Sequence, residues 1–380
     1  MVRLYLKGIG LLVGMIVGAG VFALPYVFSK AGVSWGIFHF AIAFIILLFL
    51  HLLYGEIAYF TQGKHRFTGY VEIFLGKWAK QLAFLTTIAS YYGSLLVYGL
   101  LAGLFLSNIF NQLSSTTFAI IFFIVTGILV FSKIDNIASI NFYLTIPLFG
   151  FIFYLLFITL PFIRADNFFG NFGFVNHFFD GTWFLPYGIW LFALTGFSVI
   201  PEVRDIFSNS PVSNFRKTIT WGFMLSAFFF LVFIIAVFGV SGSATTEDAL
   251  SGITAILGRG ALFVGSLIGF LAVFTSYIAL AADMKNIFNY DYKIPKLISL
   301  ILTVVPPIVL FGIGASDFVR ILGITGTLGM GILGIFIILM SRALRRTKTG
   351  DFIPTNRLFE NFILIAVIAG VIYELWKIFI

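Results

Sequence analysis

Gly14-Met15-Ile16-Val17-Gly18-Ala19-Gly20-Val21-Phe22-Ala23-Leu24-Pro25 places three glycines and a proline inside a hydrophobic run long enough to cross a membrane. Glycine is poor in a helix interior, and proline removes a backbone donor and disfavours helix at the residue before it. In hydrocarbon, a broken helix is tolerated only where protein or a water-filled cavity satisfies the freed backbone groups. Two readings stand. The stretch is a discontinuous helix lining a site, or a closely packed helix whose glycines let a neighbour approach.

Composition sets the class. Of 380 residues, 60% are hydrophobic and only 10% charged, with a mean hydropathy of +1.08. An ordinary soluble chain is about a quarter charged, so this is an all-α polytopic membrane protein. The net charge of +8 is scattered over short loops and gives no nucleic-acid signal. Cysteine is absent, which removes disulfides, thiol chemistry and thiolate metal sites. The first run is too long for a signal peptide and is expected to stay in the mature protein.

A span needs about 20 apolar residues. Eleven stretches qualify: 8–30, 35–60, 82–107, 117–132, 140–162, 182–206, 218–240, 260–284, 297–314, 318–341 and 359–379. Spans 1 and 2 are so closely joined that they form a tight antiparallel pair. Between spans 7 and 8, Thr245-Thr246-Glu247-Asp248 predicts a capped short helix across one face. With the N-terminus in the cytoplasm, eighteen of the 23 Lys and Arg residues fall inside and five outside, as the positive-inside rule requires. The C-terminus is then outside, and the expected location is the plasma (inner) membrane. The run Arg342 to Lys348 reads as an ordinary positive-inside anchor, or alternatively as a lipid-binding cluster.

The sixth span repeats the opening pattern. Gly196-Phe197-Ser198-Val199-Ile200-Pro201-Glu202-Val203 and Gly20-Val21-Phe22-Ala23-Leu24-Pro25-Tyr26-Val27 both read glycine, four residues, proline, one residue, valine. Paired interrupted segments in two halves point to a transporter binding site. Five spans per half make the repeat inverted: residues 1–162, then 182–341, with 359–379 as an extra helix. At each break, N–H groups at a half-helix start carry partial positive charge and freed carbonyls partial negative charge. Gly18, Ala19 and Gly20 can offer N–H groups to a carboxylate, and the carbonyls around Phe192, Ala193 and Leu194 can receive an ammonium. An α-amino acid therefore suits the pair.

At these residues the chain resembles the amino acid/auxin permease branch of the amino acid–polyamine–cation superfamily, within it the hydroxy/aromatic amino acid permeases that include tyrosine and tryptophan permeases. The likeness rests on Gly18 to Pro25, Leu52-Leu53-Tyr54-Gly55-Glu56-Ile57, Gly76-Lys77, Tyr92 and Tyr98, Gly196 to Pro201 with Arg204, and Thr275-Ser276. It implies a LeuT-type fold of two inverted five-helix repeats with spans 1 and 6 discontinuous. It also implies alternating access, with an amino acid bound between those two spans.

The resemblance further implies a Na+ site between spans 1 and 8. Here the matching positions are Gly14 and Val17 with Ala272, Thr275 and Ser276, the last three on one helical face. Hydroxyls that bond their own preceding carbonyls are the plain alternative. Proton coupling is the rival. Some proton-coupled relatives carry a lysine in span 5, and this span 5 has none. Glu56, Glu202 and Asp283 are the candidate proton carriers, although all lie near cytoplasmic span ends, where pairing explains them equally. Glu202 has Arg204 and Asp205 close by, and Asp283 has Lys285. Glu202 follows the break, so it would carry a proton or act as an inner latch.

Either Tyr92 or Tyr98 is expected to face the site. Phe192 and Phe197 flank the second break as wall or gate residues. His51 reads as a satisfied buried imidazole. Asp317 and Arg320 are an i, i+3 pair, either a local ion pair or an outer gate. No catalytic triad, metal-histidine or phosphate-loop pattern appears, so no enzyme, cofactor or resident metal is expected beyond a coupling ion, H+ or Na+. The partners are a small-molecule amino acid and membrane lipid, with no obligatory protein partner. The reading is a cation-coupled amino-acid symporter for aromatic or other apolar substrates. Its alternatives are an amino-acid-binding membrane sensor and a same-fold transporter of another substrate.

Overall fold

Hydrocarbon leaves backbone N–H and C=O groups no partner but each other, so long apolar segments coil. In the computed structural model, which describes residues 2–131, 137–170, 173–179 and 181–379, helix is the only regular structure among the described residues. The first half comprises α1 (Val2–Ile16), α2 (Gly20–Phe60), α3 (Phe67–Leu75), α4 (Lys77–Phe110), α5 (Ser115–Phe131) and α6 (Ile137–Thr159). Two short helices follow, α7 (Ala165–Phe169) and α8 (Val175–Phe179). The second half comprises α9 (Leu185–Ala193), α10 (Ile200–Ile206), α11 (Val212–Ser241), α12 (Thr254–Asn286), α13 (Lys296–Gly312), α14 (Phe318–Ile324) and α15 (Gly331–Thr347), and α16 (Arg357–Phe379) ends the chain. Among the described residues, seven helices are long and apolar enough to cross a membrane, including Gly20–Phe60, Lys77–Phe110 and Ser251–Asp291. Shorter apolar helices run over Ser115–Val130, Ile146–Phe162 and Lys296–Gly312. The expected end of the fourth span at residue 132, and Lys133 after it, lie outside the described residues.

Both glycine-proline segments are interrupted. Helix stops at Ile16 and resumes at Gly20, and it stops again at Ala193 and resumes as α10 at Ile200, through a 3-10 turn at Phe197–Val199. In each case the glycine stands at the break and the proline in the helix that resumes. Pro201 is the second residue of α10, where its missing N–H costs nothing. Pro25 lies more than a turn into α2.

The joint expected between the first two spans is Gly32, the one non-helical residue within α2 (φ 78°, ψ 159°). A backbone with φ in that range favours glycine.

One expectation is met and one changes. The 241–258 connection holds a short helical segment, a 3-10 turn at Ser251–Ile253 that runs on as α-helix from Thr254 until Gly258 (φ 78°) breaks it from the rest of α12; a second 3-10 turn lies at Gly242–Ala244. Asp248 opens this segment: its carboxylate accepts from the Ser251 N–H at 3.2 Å, from Ser251 Oγ at 2.5 Å and from Thr246 Oγ1 at 2.7 Å. The tenth span is not regular. Residues Thr325–Met330 form a π-helical turn between α14 and α15. Here α9 and the tenth span meet backbone to backbone: a Cβ on Gly326 would lie 1.8 Å from Gly188 O, and one on Gly188 would lie 2.3 Å from Gly323 O.

The interior is aromatic. Trp190, Tyr54, Tyr277, Phe22 and Phe105 are fully buried, and Phe22 meets Phe105 edge-on with centroids 4.8 Å apart. Helix α1 lies against α6, α11 and α12, which puts its break at the centre of the bundle.

Candidate functional site

A small cavity of about 20 Å³ lies at the second break, beside the end of α1. Helix α1 contributes Met15, the second break contributes Phe192, Thr195, Phe197 and Ser198, and Leu280, Met330 and Leu333 close the far side. Helix α4 adds Tyr91, Ser94 and Tyr98, which share a face at i, i+3 and i+7. The wall is thus mainly apolar with hydroxyls at separate points, and Ser198 Oγ is buried there without a partner.

Of the two tyrosines weighed from the sequence, the structure places Tyr98 on the cavity. Tyr92 turns away and donates to Leu302 O at 2.6 Å. Tyr91 and Ser94 were missed, although their spacing to Tyr98 marks the same face.

At the first break, Ala19 occupies the N-cap position of α2 without a side-chain cap hydrogen bond. The N–H groups that open a helix have no partner within it. The Gly18 N–H differs, because it donates to Ile16 O at 2.9 Å. Both glycines also permit close contact. A Cβ on Gly20 would sit 2.6 Å from Ala193 Cα, and one on Gly18 would sit 2.7 Å from Ser276 Oγ. The broken-helix reading and the close-packing reading therefore describe one feature: the breaks touch each other at Gly20 and Ala193.

The second break has a support in α2. His51 Nδ1 lies 2.7 Å from Leu47 O, and Nε2 accepts the Gly196 N–H at 2.9 Å. These partners fix a neutral imidazole with its proton on Nδ1. The satisfied histidine expected from the sequence is satisfied by the break itself. Replacing His51 with leucine strands the Gly196 N–H in the interior, a loss of about 1–3 kcal/mol. Thermal unfolding in detergent should show the corresponding fall in midpoint.

Of the positions weighed for Na+, Ser276 meets Gly14, whereas Thr275 bonds its own preceding carbonyl, as in the plain alternative. Ser276 Oγ donates to Gly14 O at 3.4 Å, and Thr275 Oγ1 donates to Ala272 O at 3.0 Å. Val17, in the same stretch, is buried.

Below the cavity lies a chain of polar contacts. Tyr91 donates its hydroxyl to Asp283 Oδ2 at 2.7 Å. Arg66 binds Asp283 Oδ1 through Nε at 3.1 Å and Glu202 Oε1 through Nη2 at 3.3 Å. Burial works against the Arg66 cation, but the Asp283 and Glu202 carboxylates more than offset it and raise its pKa above the usual arginine value. Asp291 fixes the segment carrying Arg66, accepting from Arg66 N at 3.2 Å, Thr68 Oγ1 at 2.7 Å and Gly69 N at 2.7 Å. The partners differ from the sequence neighbours. Arg204 pairs with Asp205 at 3.1 Å, and Lys285 donates to Val130 O at 3.4 Å.

Glu56 stands apart from this chain. Its side chain is fully buried, bound by Arg216 at 2.8 Å, Arg345 at 2.7 Å and the Ile353 N–H at 2.6 Å. On the opposite side of the cavity, Asp317 caps α14 by accepting from the Arg320 N–H at 2.9 Å. That backbone contact replaces the expected side-chain ion pair. Asp317, Arg320, Tyr26, Glu247 and Glu374 line a vestibule of about 290 Å³. Partial burial, then Asp317 and Asp248, raises the Glu247 pKa.

A profile of the tryptophan/tyrosine permease family matches residues 2–376. The chain belongs to this family. This permease is accordingly an integral membrane amino-acid transporter and not an enzyme. Its fold is similar to that of MhsT, seen in a crystal structure in complex with L-phenylalanine. The TM-score is 0.76 at 17% identity, covering 96% of the permease and 98% of MhsT. No curated protein sequence matches the permease.

Proposed function

We propose that the permease is a cation-coupled symporter that takes up aromatic or other apolar amino acids by alternating access. The observations that carry this are the two helix breaks touching at Gly20 and Ala193 and the small cavity at the second break, walled by Met15, Phe192, Phe197 and Met330. The substrate carboxylate binds the free amides at Ala19 and Gly20, since the Gly18 amide is engaged. The ammonium binds carbonyls at Ala193 and Leu194, and the side chain lies among the apolar residues. The L-phenylalanine bound by MhsT supports an apolar or aromatic side chain. In this reading eleven spans form two inverted five-helix repeats, 1–162 and 182–341, plus the extra helix 359–379. The N-terminus is cytoplasmic, the C-terminus outside, and the membrane is the plasma (inner) membrane.

Arg66 then closes the cytoplasmic side and the Asp317 vestibule opens outward. Coupling takes one of two routes. With Na+, the ion sits among Gly14, Val17, Ala272, Thr275 and Ser276, and its carbonyl ligands belong to the stretch whose amides hold the substrate. Thr275→Ala should then weaken Na+ activation about tenfold or more, the usual worth of a hydrogen-bonding group facing a charge. Unchanged Na+ activation excludes this site. With H+, Asp283 or Glu202 releases Arg66 on protonation. Glu202→Gln, which mimics the protonated acid, should flatten the pH profile of uptake if Glu202 is the carrier, and leave it unaltered if Glu202 is only a latch.

Uptake into proteoliposomes tests the whole proposal, with labelled amino acids screened under separately imposed Na+ and proton gradients. The expected result is concentrative uptake of an aromatic or apolar amino acid under one gradient. Binding without uptake under either gradient refutes symport.

A further inference from the structure

Four arginines, Arg342, Arg345, Arg346 and Arg357, line a cavity of about 400 Å³ between the end of α15 and the start of α16, with Glu360 and Asn361 on its wall. Two of the four are committed. Arg342 binds Glu360 Oε2 and Asn361 Oδ1, each at 2.7 Å. Arg345 binds Glu56 at 2.7 Å and donates to Ile353 O at 3.0 Å. Arg346 and Arg357 make no ion pair among the described residues. Two open guanidinium groups beside two anchored ones form a donor-rich pocket suited to phosphate oxygens, which the planar fork of arginine matches.

The helix that carries Arg357, Glu360 and Asn361 also carries an exposed apolar stripe. Helix α16 begins at Arg357 and presents Leu358, Phe362 and Ile365 at i, i+4 and i+7, exposed by 76%, 64% and 68%. A free phosphate would use the arginines and leave this stripe untouched. A plain positive-inside anchor would need neither a concave pocket nor an apolar stripe on the same helix. We propose that this cavity holds the phosphate of one anionic phospholipid, whose acyl chains run along the Leu358, Phe362 and Ile365 face of α16. The site shares no lining residue with the substrate cavity.

The test uses the purified full-length chain in detergent, with lipid binding read by native mass spectrometry during titration. Phosphatidylglycerol and phosphatidylcholine are compared, and inorganic phosphate is added as competitor. Wild type should bind phosphatidylglycerol at one site, about tenfold or more tighter than phosphatidylcholine. Arg346→Gln with Arg357→Gln should lose that margin. Lys64→Gln with Lys77→Gln, which removes two exposed lysines outside the cavity, should keep it. Millimolar inorganic phosphate should not displace the lipid. The proposal is overturned if both pairs of variants lose binding equally, if the arginine variant binds as wild type does, if the two lipids bind alike, or if phosphate alone competes the lipid away. Thermal unfolding of each variant separates loss of the site from loss of the fold. A destabilised double variant is replaced by Arg346→Gln alone, for which unchanged lipid preference counts against the site.

Discussion

Arg66→Ala should abolish uptake and open the cavity from the Arg66 side. The substitution leaves Asp283, 4% exposed, and Glu202, 27% exposed, without their shared cation. Removing one partner of a buried ion pair costs about 3–5 kcal/mol. That penalty falls on the closed arrangement, because opening lets water reach both carboxylates. The closed state should lose at least about a hundredfold in relative population. The chain has no cysteine, so a single Ser94→Cys reporter on the cavity wall reads accessibility cleanly. Ser94 donates only to its own helix, at Ser90 O, and should tolerate the change. A membrane-impermeant maleimide applied from the Arg66 face should label this cysteine at least about a hundredfold faster in Arg66→Ala than in the parent. Equal labelling rates would show that Arg66 does not close the cavity.

Gly20 should be the most sensitive position in the substrate site. Its missing side chain is what lets the two breaks touch, since a Cβ there would meet Ala193 Cα and Cβ at 2.6 Å. Ala193 Cα is backbone at the end of α9 and cannot rotate away as a side chain tip could. Even alanine must push one break off the other, at the cost of about 1–3 kcal/mol typical of overpacking. Those are also the groups proposed to hold the carboxylate and ammonium, so misalignment falls directly on affinity. Gly20→Ala should weaken substrate binding about tenfold or more, and Gly20→Leu should leave none detectable while the protein still folds. Equilibrium binding of a labelled aromatic amino acid measures both. Wild-type affinity in Gly20→Leu would remove the first break from the site.

The sequence discloses what is local. Gly14 to Pro25 and Gly196 to Pro201 announce their breaks because glycine and proline act on their own backbone. The family, the apolar helices and the cavity's second wall follow from the same residues. The partnerships of charged and polar groups are less visible, because chain neighbours compete poorly with spatial ones inside a bundle. Glu202 lies two residues from Arg204 yet pairs with Arg66, 136 residues away. Tyr91 meets Asp283 across 192 residues. His51 could be read as buried, but its bond to Gly196 depends on how α2 and α9 pack. The π-helical turn at Thr325–Met330 has the same origin, since it lies where Gly326 approaches Gly188 O. Asp248 is a local case that could be read, a side-chain cap that starts the short helical segment after Thr245-Thr246-Glu247-Asp248.

The most direct measurement is a cryo-electron microscopy structure of the permease with a bound aromatic amino acid. The account predicts density in the central cavity, with the carboxylate against the Ala19 and Gly20 amides and the ring among Phe192, Phe197 and Met330. Substrate density only in the outer vestibule, against Asp317 and Arg320, would contradict it.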